Sequence, residues 1–98
     1  MNRPLFLRPE AKQDIREAFD WYEGERSGLG REFLDEARTA LRHVQEHPLR
    51  YPKIRGETRR NLLNRFPFSI LYVVEDDRIV VIACFHGKRD PRIWQARG

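Results

Sequence analysis

His86 is the side chain best suited to move a proton, because an unperturbed imidazole titrates near neutrality. It closes the apolar run "RIVVIACFH" (78–86), and "GKRDPRIW" follows directly, bringing Lys88, Arg89, Arg92 and Trp94. A second basic group, Arg59, Arg60 and Arg65, lies in "RRNLLNRF" (59–66). A ribonuclease that uses the ribose 2′-OH as nucleophile needs a base for that hydroxyl, cations for the phosphorane charge and an acid for the leaving oxygen. His86 offers the acid or the base, and Arg65 or Arg59 the charge stabilisation, provided that the strands carrying them are neighbours. No clear second acid–base partner accompanies them; Glu57, in a loop, is the candidate. The structural alternative has weight as well. A histidine at a strand end is more often a hydrogen-bonded structural residue, and "RDPRIW" reads equally as a turn at Asp90-Pro91 that folds Ile93-Trp94 back over the sheet.

Other chemistries find less support. Gly24, Gly28 and Gly30 precede a helical pattern, but no Lys-Ser or Lys-Thr follows them as a phosphate-binding loop requires. His43 and His47 stand four apart on one helix, without a third acidic or Cys ligand, so no metal site is expected. Ser27 and Ser69 lack the sequence context of a nucleophile. Cys84, the single cysteine, lies inside an apolar run and is expected to be a buried thiol. No cofactor is expected.

These residues must be held by elements that 98 residues can build, which is one domain spanning 1–98. With 40% apolar and 35% charged residues the chain has a globular balance and a heavily charged surface. No apolar run is long enough to cross a bilayer, and Met1–Arg8 has no apolar signal region, so a cytoplasmic location and no membrane partner are expected. The net charge of +4 is unevenly spread. Residues 9–47 carry ten acids against six bases, while 48–65 carry six bases against Glu57 and 78–98 five bases against Asp90. That asymmetry points to a polyanionic or acidic partner for the second half, or to a solvated arginine-rich surface.

"PLFLR" (4–8) reads as a short strand. Pro9 opens a helix on which Ala11, Ile15, Ala18 and Tyr22 make one apolar face, with Trp21 well off it. "GERSGLG" (24–30) breaks the pattern, and a second helix runs to about His47 on Leu29, Phe33, Ala37, Ala40, Leu41 and Val44, until Pro48 stops it. The short link predicts an antiparallel helical hairpin. Residues 48–58 read as a loop with two prolines. Strands follow at 59–66, 68–74 and 78–86, the last two apolar on both parities and joined through Glu75-Asp76-Asp77 as a hairpin. The order β-α-α-β-β-β predicts an α+β fold: an antiparallel sheet with the helical hairpin packed on one face, and the other face, with the arginine-rich strand and the tail, only partly covered.

"WYEGERSGLGREF" (21–33), "HPLRYPKI" (47–54) and "RRNLLNRFPFSILYVVEDDRIVVIACFHGKRDPRIW" (59–94) together resemble the RelE/ParE superfamily of bacterial toxins, over nearly the whole chain and in order. The most specific part is "RFPFSILYVV" followed by "FHGKRDPRIW". The resemblance implies the toxin of a type II toxin–antitoxin module, a small cytoplasmic protein silenced by a cognate antitoxin that folds on it, with operator DNA contacted only through the antitoxin. It implies one of two targets. RelE-like members cleave mRNA on the ribosome; ParE-like members poison DNA gyrase and lack the nuclease side chains. The tail "HGKRDPRIW" looks ParE-like and has no Tyr after His86, whereas His86 and Arg65 match nuclease positions. The ParE-like reading, a gyrase poison that is not an enzyme, is preferred, with a ribosome-dependent mRNA endonuclease using His86 and Arg65 as the alternative. A member that only binds its antitoxin is the third possibility. For target or antitoxin binding the expected residues are Arg59, Arg60, Arg65, His86, Lys88, Arg89, Arg92 and Trp94.

Overall fold

A computed structural model describes residues 3–97. Its elements are β1 (Leu5–Leu7), α1 (Pro9–Glu25), α2 (Leu29–Glu46), β2 (Lys53–Arg55), β3 (Thr58–Leu62), β4 (Phe68–Val74), β5 (Ile79–His86) and the short α3 (Arg92–Gln95). Five strands form one sheet in the order β1-β5-β4-β3-β2, and the α1–α2 hairpin packs on one face.

Pro9 sits at the start of α1, where its missing N–H costs nothing. The buried side of α1 is Ala11, Asp14, Ala18 and Tyr22, at helical spacing. Ile15, expected there, is only half-buried, and a carboxylate takes the more central place. The link to α2 is built by two glycines and one acid. Gly28 has φ 90°, a left-handed geometry that favours glycine. A Cβ on Gly30 would lie 2.7 Å from the Phe19 carbonyl oxygen, so the helices can approach this closely only without a side chain at that position. The Glu23 carboxylate accepts from both the Gly28 and Gly30 N–H groups at 3.0 Å, satisfying donors that a helix N-terminus leaves unpaired. Phe33, Ala37, Ala40 and Val44 then face the sheet.

The core on this side is aromatic at one end. Tyr22, Phe33 and Phe66 meet with ring centroids 4.8–5.5 Å apart, and Phe68 lies 5.3 Å from Phe33. Phe33 and Tyr72 are fully buried, each contributing roughly 1.5–3 kcal/mol of apolar burial. The Tyr72 hydroxyl donates to the Pro48 carbonyl at 2.6 Å, and Asn61 Nδ2 to the Ala40 carbonyl at 3.1 Å, so both polar tips inside the core are satisfied.

β3, β4 and β5 form the antiparallel meander that the sequence predicts. The sheet as a whole is mixed, however. β1 pairs parallel with β5, Leu5 opposite Ile79 and Leu7 opposite Val81. β4 is already flanked by β3, so the free side of β5 is what the sheet interior offers β1, and the two run the same way. Residues 53–55, expected in a loop, pair with β3 around Gly56; three exposed residues between turns give no alternation to read.

One irregularity aims the site. Leu71 pairs with Ala83 and Tyr72 with Val81, leaving Ile82 without an opposite residue. This bulge switches the parity of β5. Ile79, Val81 and Cys84 face the helices, while Val80, Ile82, Ala83 and Phe85 join Leu71 and Trp94 in a second cluster on the other face. Without the bulge, His86 would point away from Phe68 and the helices; with it, the two rings pack edge to face, 5.0 Å apart.

Candidate functional site: two concavities sharing His86

The end of β5 borders two concavities, one on each side of the sheet. The first, on the helix side, is a groove of about 520 Å³ between α1 and the ends of β4 and β5. Ala18, Trp21, Tyr22, Pro67 and Phe68 give it apolar walls, with Asp14 and Glu17 along one side and His86 and Arg89 at its mouth. Trp21 is 62% exposed and edge-on to Tyr22. Its position off the buried stripe of α1 leaves most of the indole to solvent beside the groove.

The second concavity, on the open face of the sheet, is a hollow of about 190 Å³. Its floor is Leu71, Phe85 and Trp94, and its rim includes Ile54, Arg60, His86 and Arg89. Trp94 is only 7% exposed, because the Asp90-Pro91 turn and α3 fold the tail back, as the turn residues predict. Trp94 therefore supports this surface more than it presents itself. The Arg89 guanidinium lies over the Phe85 ring, 5.1 Å from its centroid, a cation–π contact. Arg60 projects outward from β3 opposite Leu71, and its side chain makes no hydrogen bond or ion pair among the described residues.

His86 stands where the two meet. The Lys88 backbone N–H donates to His86 Nδ1 at 3.0 Å, so in the neutral ring the proton sits on Nε2. That bond fixes the ring as a structural residue would be fixed, while the Lys88 side chain stays exposed.

The remaining expected residues go elsewhere. Arg65 Nη2 lies 2.7 Å from Glu32 Oε1, and the Arg65 backbone N–H donates to Glu36, on the flank of α2 and in a different hollow from His86. Arg65 holds the Glu32 carboxyl below the usual carboxylate range, assisted by Arg26. Arg59 turns toward the helix side and donates to the Tyr51 carbonyl at 2.6 Å and to that of Leu49 at 3.3 Å, bracing the loop after α2. Arg92 grips Asp90 through Nε and Nη2 at 2.9 and 2.7 Å, which holds that carboxyl down and rigidifies the turn. Glu57 pairs with Lys53 at the β2–β3 turn. Arg60, His86 and Arg89 are thus brought together, and Arg59, Arg65 and Glu57 are not.

Two residues with no role in the sequence reading tie the site together. Arg97 donates to both carboxylate oxygens of Asp14, at 2.7 and 3.1 Å, and to the Ile82 carbonyl at 3.2 Å. Asp14 also accepts from the Cys84 N–H at 3.1 Å, and both side chains of the pair are largely buried. The signal was available: Asp14 lies between Ala11 and Ala18 on the apolar stripe of α1, where a carboxylate needs a partner.

Against known proteins, the family described as "ParE toxin of type II toxin-antitoxin system, parDE" matches residues 5–91. No curated protein sequence matches. Among solved structures, a chain of the chromosomal ParDE toxin–antitoxin system from P. aeruginosa is similar, with a TM-score of 0.76 at 16% identity, covering 86% of this chain and 95% of that one. A chain of the RelBE2 toxin–antitoxin complex from Mycobacterium tuberculosis aligns with a TM-score of 0.62 at 16% identity, covering 88% and 99%. At that identity the likeness is one of fold.

Proposed function

The chain belongs to the ParE toxin family of type II toxin–antitoxin systems, and from that premise we propose that it is a binding toxin that poisons DNA gyrase and is silenced by a cognate antitoxin. The observation that carries this reading is the separation of the nuclease pair. Arg65 is engaged by Glu32 and Glu36 in its own hollow, and His86 keeps Nδ1 on a backbone N–H. A phosphorane would need cation and acid–base group around the same phosphate. A docking toxin needs no such set, only exposed chemistry in a fixed frame.

The antitoxin is proposed to lay an amphipathic segment in the helix-side groove. The apolar walls, the exposed indole of Trp21 and the cationic mouth at Arg89 suit a segment with one apolar stripe and acidic flanks, ordered as it binds. Operator DNA is reached only through that antitoxin. This reading carries a cytoplasmic location, where gyrase and operator DNA are both found. Among the described residues no helix is long and apolar enough to cross a membrane.

The test is a supercoiling assay with purified gyrase. Inhibition with trapped cleavage complexes is expected, and its absence at toxin concentrations well above those of the enzyme removes the gyrase reading. The grouping of His86 with Arg60 and Arg89 favours one alternative, a ribosome-dependent mRNA endonuclease. Toeprinting on programmed ribosomes decides that, since cleavage by the wild type that disappears in His86→Ala would establish it.

A further inference from the structure

Resting on the reading of this chain as a docking toxin, we infer that the open-face hollow rimmed by Arg60, His86 and Arg89 is the surface that grips the toxin's target, and that it takes a protein segment presenting a carboxylate between apolar side chains. Two guanidinium groups and an imidazole border one small concavity, and no carboxylate among the described residues lines it. Asp90, the acid nearest in sequence, is already held by Arg92. The Arg60 side chain has no partner among the described residues, in contrast to those of Arg59, Arg65, Arg78, Arg92 and Arg97, each of which has one. An arginine held on a strand without a partner is a preformed fork for a carboxylate.

The apolar groups select a protein rather than a nucleic acid. Leu71, Phe85 and Trp94 floor the hollow, and Leu62, 59% exposed, extends its flank on the same face of β3 as Arg60. Single-stranded nucleic acid is gripped by aromatic rings open to base stacking. Here Trp94 and Phe85 are both buried in the cluster, and Phe85 also lies under Arg89, so neither offers an open ring for a base. What remains outward is aliphatic, Ile54 and Leu62, beside positive charge. That combination matches an acidic side chain seated between apolar ones, with the aliphatic rim excluding water from the ion pair.

The test is growth arrest on induction in a bacterial host lacking the antitoxin, together with thermal unfolding of each purified chain. Arg60→Glu and Leu62→Asp are expected to raise the expression level needed for arrest by roughly tenfold or more, as loss of a central interface residue does. Arg60→Lys keeps the charge but loses the planar fork, and is expected to fall between the wild type and Arg60→Glu. Arg42→Glu makes the same charge change on the exposed side of α2 and is expected to behave as wild type. All four are exposed and should unfold within a few degrees of the parent. Arrest by Arg60→Glu at the wild-type level overturns the inference, as does an equal loss in Arg42→Glu, which would assign the effect to overall field. Oligouridine binding by the wild type that vanishes in Arg60→Glu overturns the choice of a protein occupant. If Arg60→Glu loses arrest while the wild type leaves gyrase supercoiling untouched, the docking surface stands and gyrase is excluded as the target. A wild-type chain that permits normal growth defeats the toxin reading, and the inference with it.

Discussion

The helix-side groove and the open-face hollow lie on opposite sides of one sheet and share His86 and Arg89, yet they are built for different contacts. The groove is the larger, about 520 against 190 Å³, and its walls are aromatic and apolar with an indole standing free. The hollow is small, and its rim is cationic over an apolar floor. Apolar area in a groove supplies affinity for a partner that folds as it binds; fixed charge on a rigid strand supplies selectivity and association rate. One small sheet thus presents two unlike surfaces. Its β5 bulge turns His86 to the junction of both surfaces, so whatever fills the groove also touches residues that the hollow needs.

The largest effect should come from the tie between the two regions. Asp14 belongs to the helix that walls the groove, and Arg97 lies in the tail whose Trp94 floors the hollow. Asp14→Ala leaves the Arg97 guanidinium unpaired in a largely buried place and strips the Cys84 N–H of its acceptor. Breaking one side of such a pair is expected to cost about 3–5 kcal/mol, read by chemical denaturation. Asp14→Leu with Arg97→Met removes both charges and is expected to recover much of that loss. If the two surfaces depend on this common frame, Asp14→Ala lowers antitoxin binding and growth arrest together; a fall in only one of them shows that they do not.

A smaller effect, confined to one side, is expected from Trp21. Trp21→Ala removes an exposed aromatic anchor beside the groove. It should weaken antitoxin capture by about 2 kcal/mol, roughly 30-fold, the usual scale for a tryptophan hot spot. Calorimetric titration with the antitoxin measures it. If the change leaves that affinity untouched, the antitoxin engages another surface and the division of labour between groove and hollow fails.

Much of the frame could be read from the sequence. The helical hairpin followed from Ala11, Ala18 and Tyr22 and from Phe33, Ala37 and Val44 at helical spacing, and the meander from strands apolar on both faces. The buried tail followed from Asp90-Pro91 and an adjacent Trp. The candidate site was harder, because strand parity decides it. Arg59 and Arg60 are neighbours in sequence, and one braces a loop on the helix side while the other faces solvent on the open side. Arg65 reads as part of the same basic run but leaves the strand at Leu62 and meets Glu32, thirty-three residues away in sequence. The bulge at Ile82 has no Gly or Pro to announce it, yet it sets which way His86 points. Long-range pairings such as Arg97 with Asp14 have no local signature beyond a charge on an apolar stripe.

The smallest effect is absent at neutral pH and concerns what lies beneath the groove. Cys84 lines it but is almost fully buried, and burial pushes its thiol up to about 12, with the Asp14 carboxylate adding to the rise. Tyr72, deeper in the same core, is likewise raised to about 12 by burial. Both groups bind their protons more tightly folded than unfolded. Their contribution to stability is therefore complete below about pH 9, where the unfolded thiol begins to ionise, and is lost as the pH rises through about 12. Alkaline unfolding should fall in that window, and tyrosine absorbance should show Tyr72 ionising only as the chain unfolds. The same shift slows thiol chemistry. At pH 8 a thiol with a pKa near 12 is thiolate about one part in ten thousand, against roughly one in ten for a free thiol near 9. Labelling of Cys84 by a thiol reagent should therefore proceed only as fast as the protein unfolds. Labelling faster than global unfolding would mean that α1 lifts from β5 on its own, making the groove a surface that opens for its partner while the hollow, set on strands β3 to β5, stays fixed.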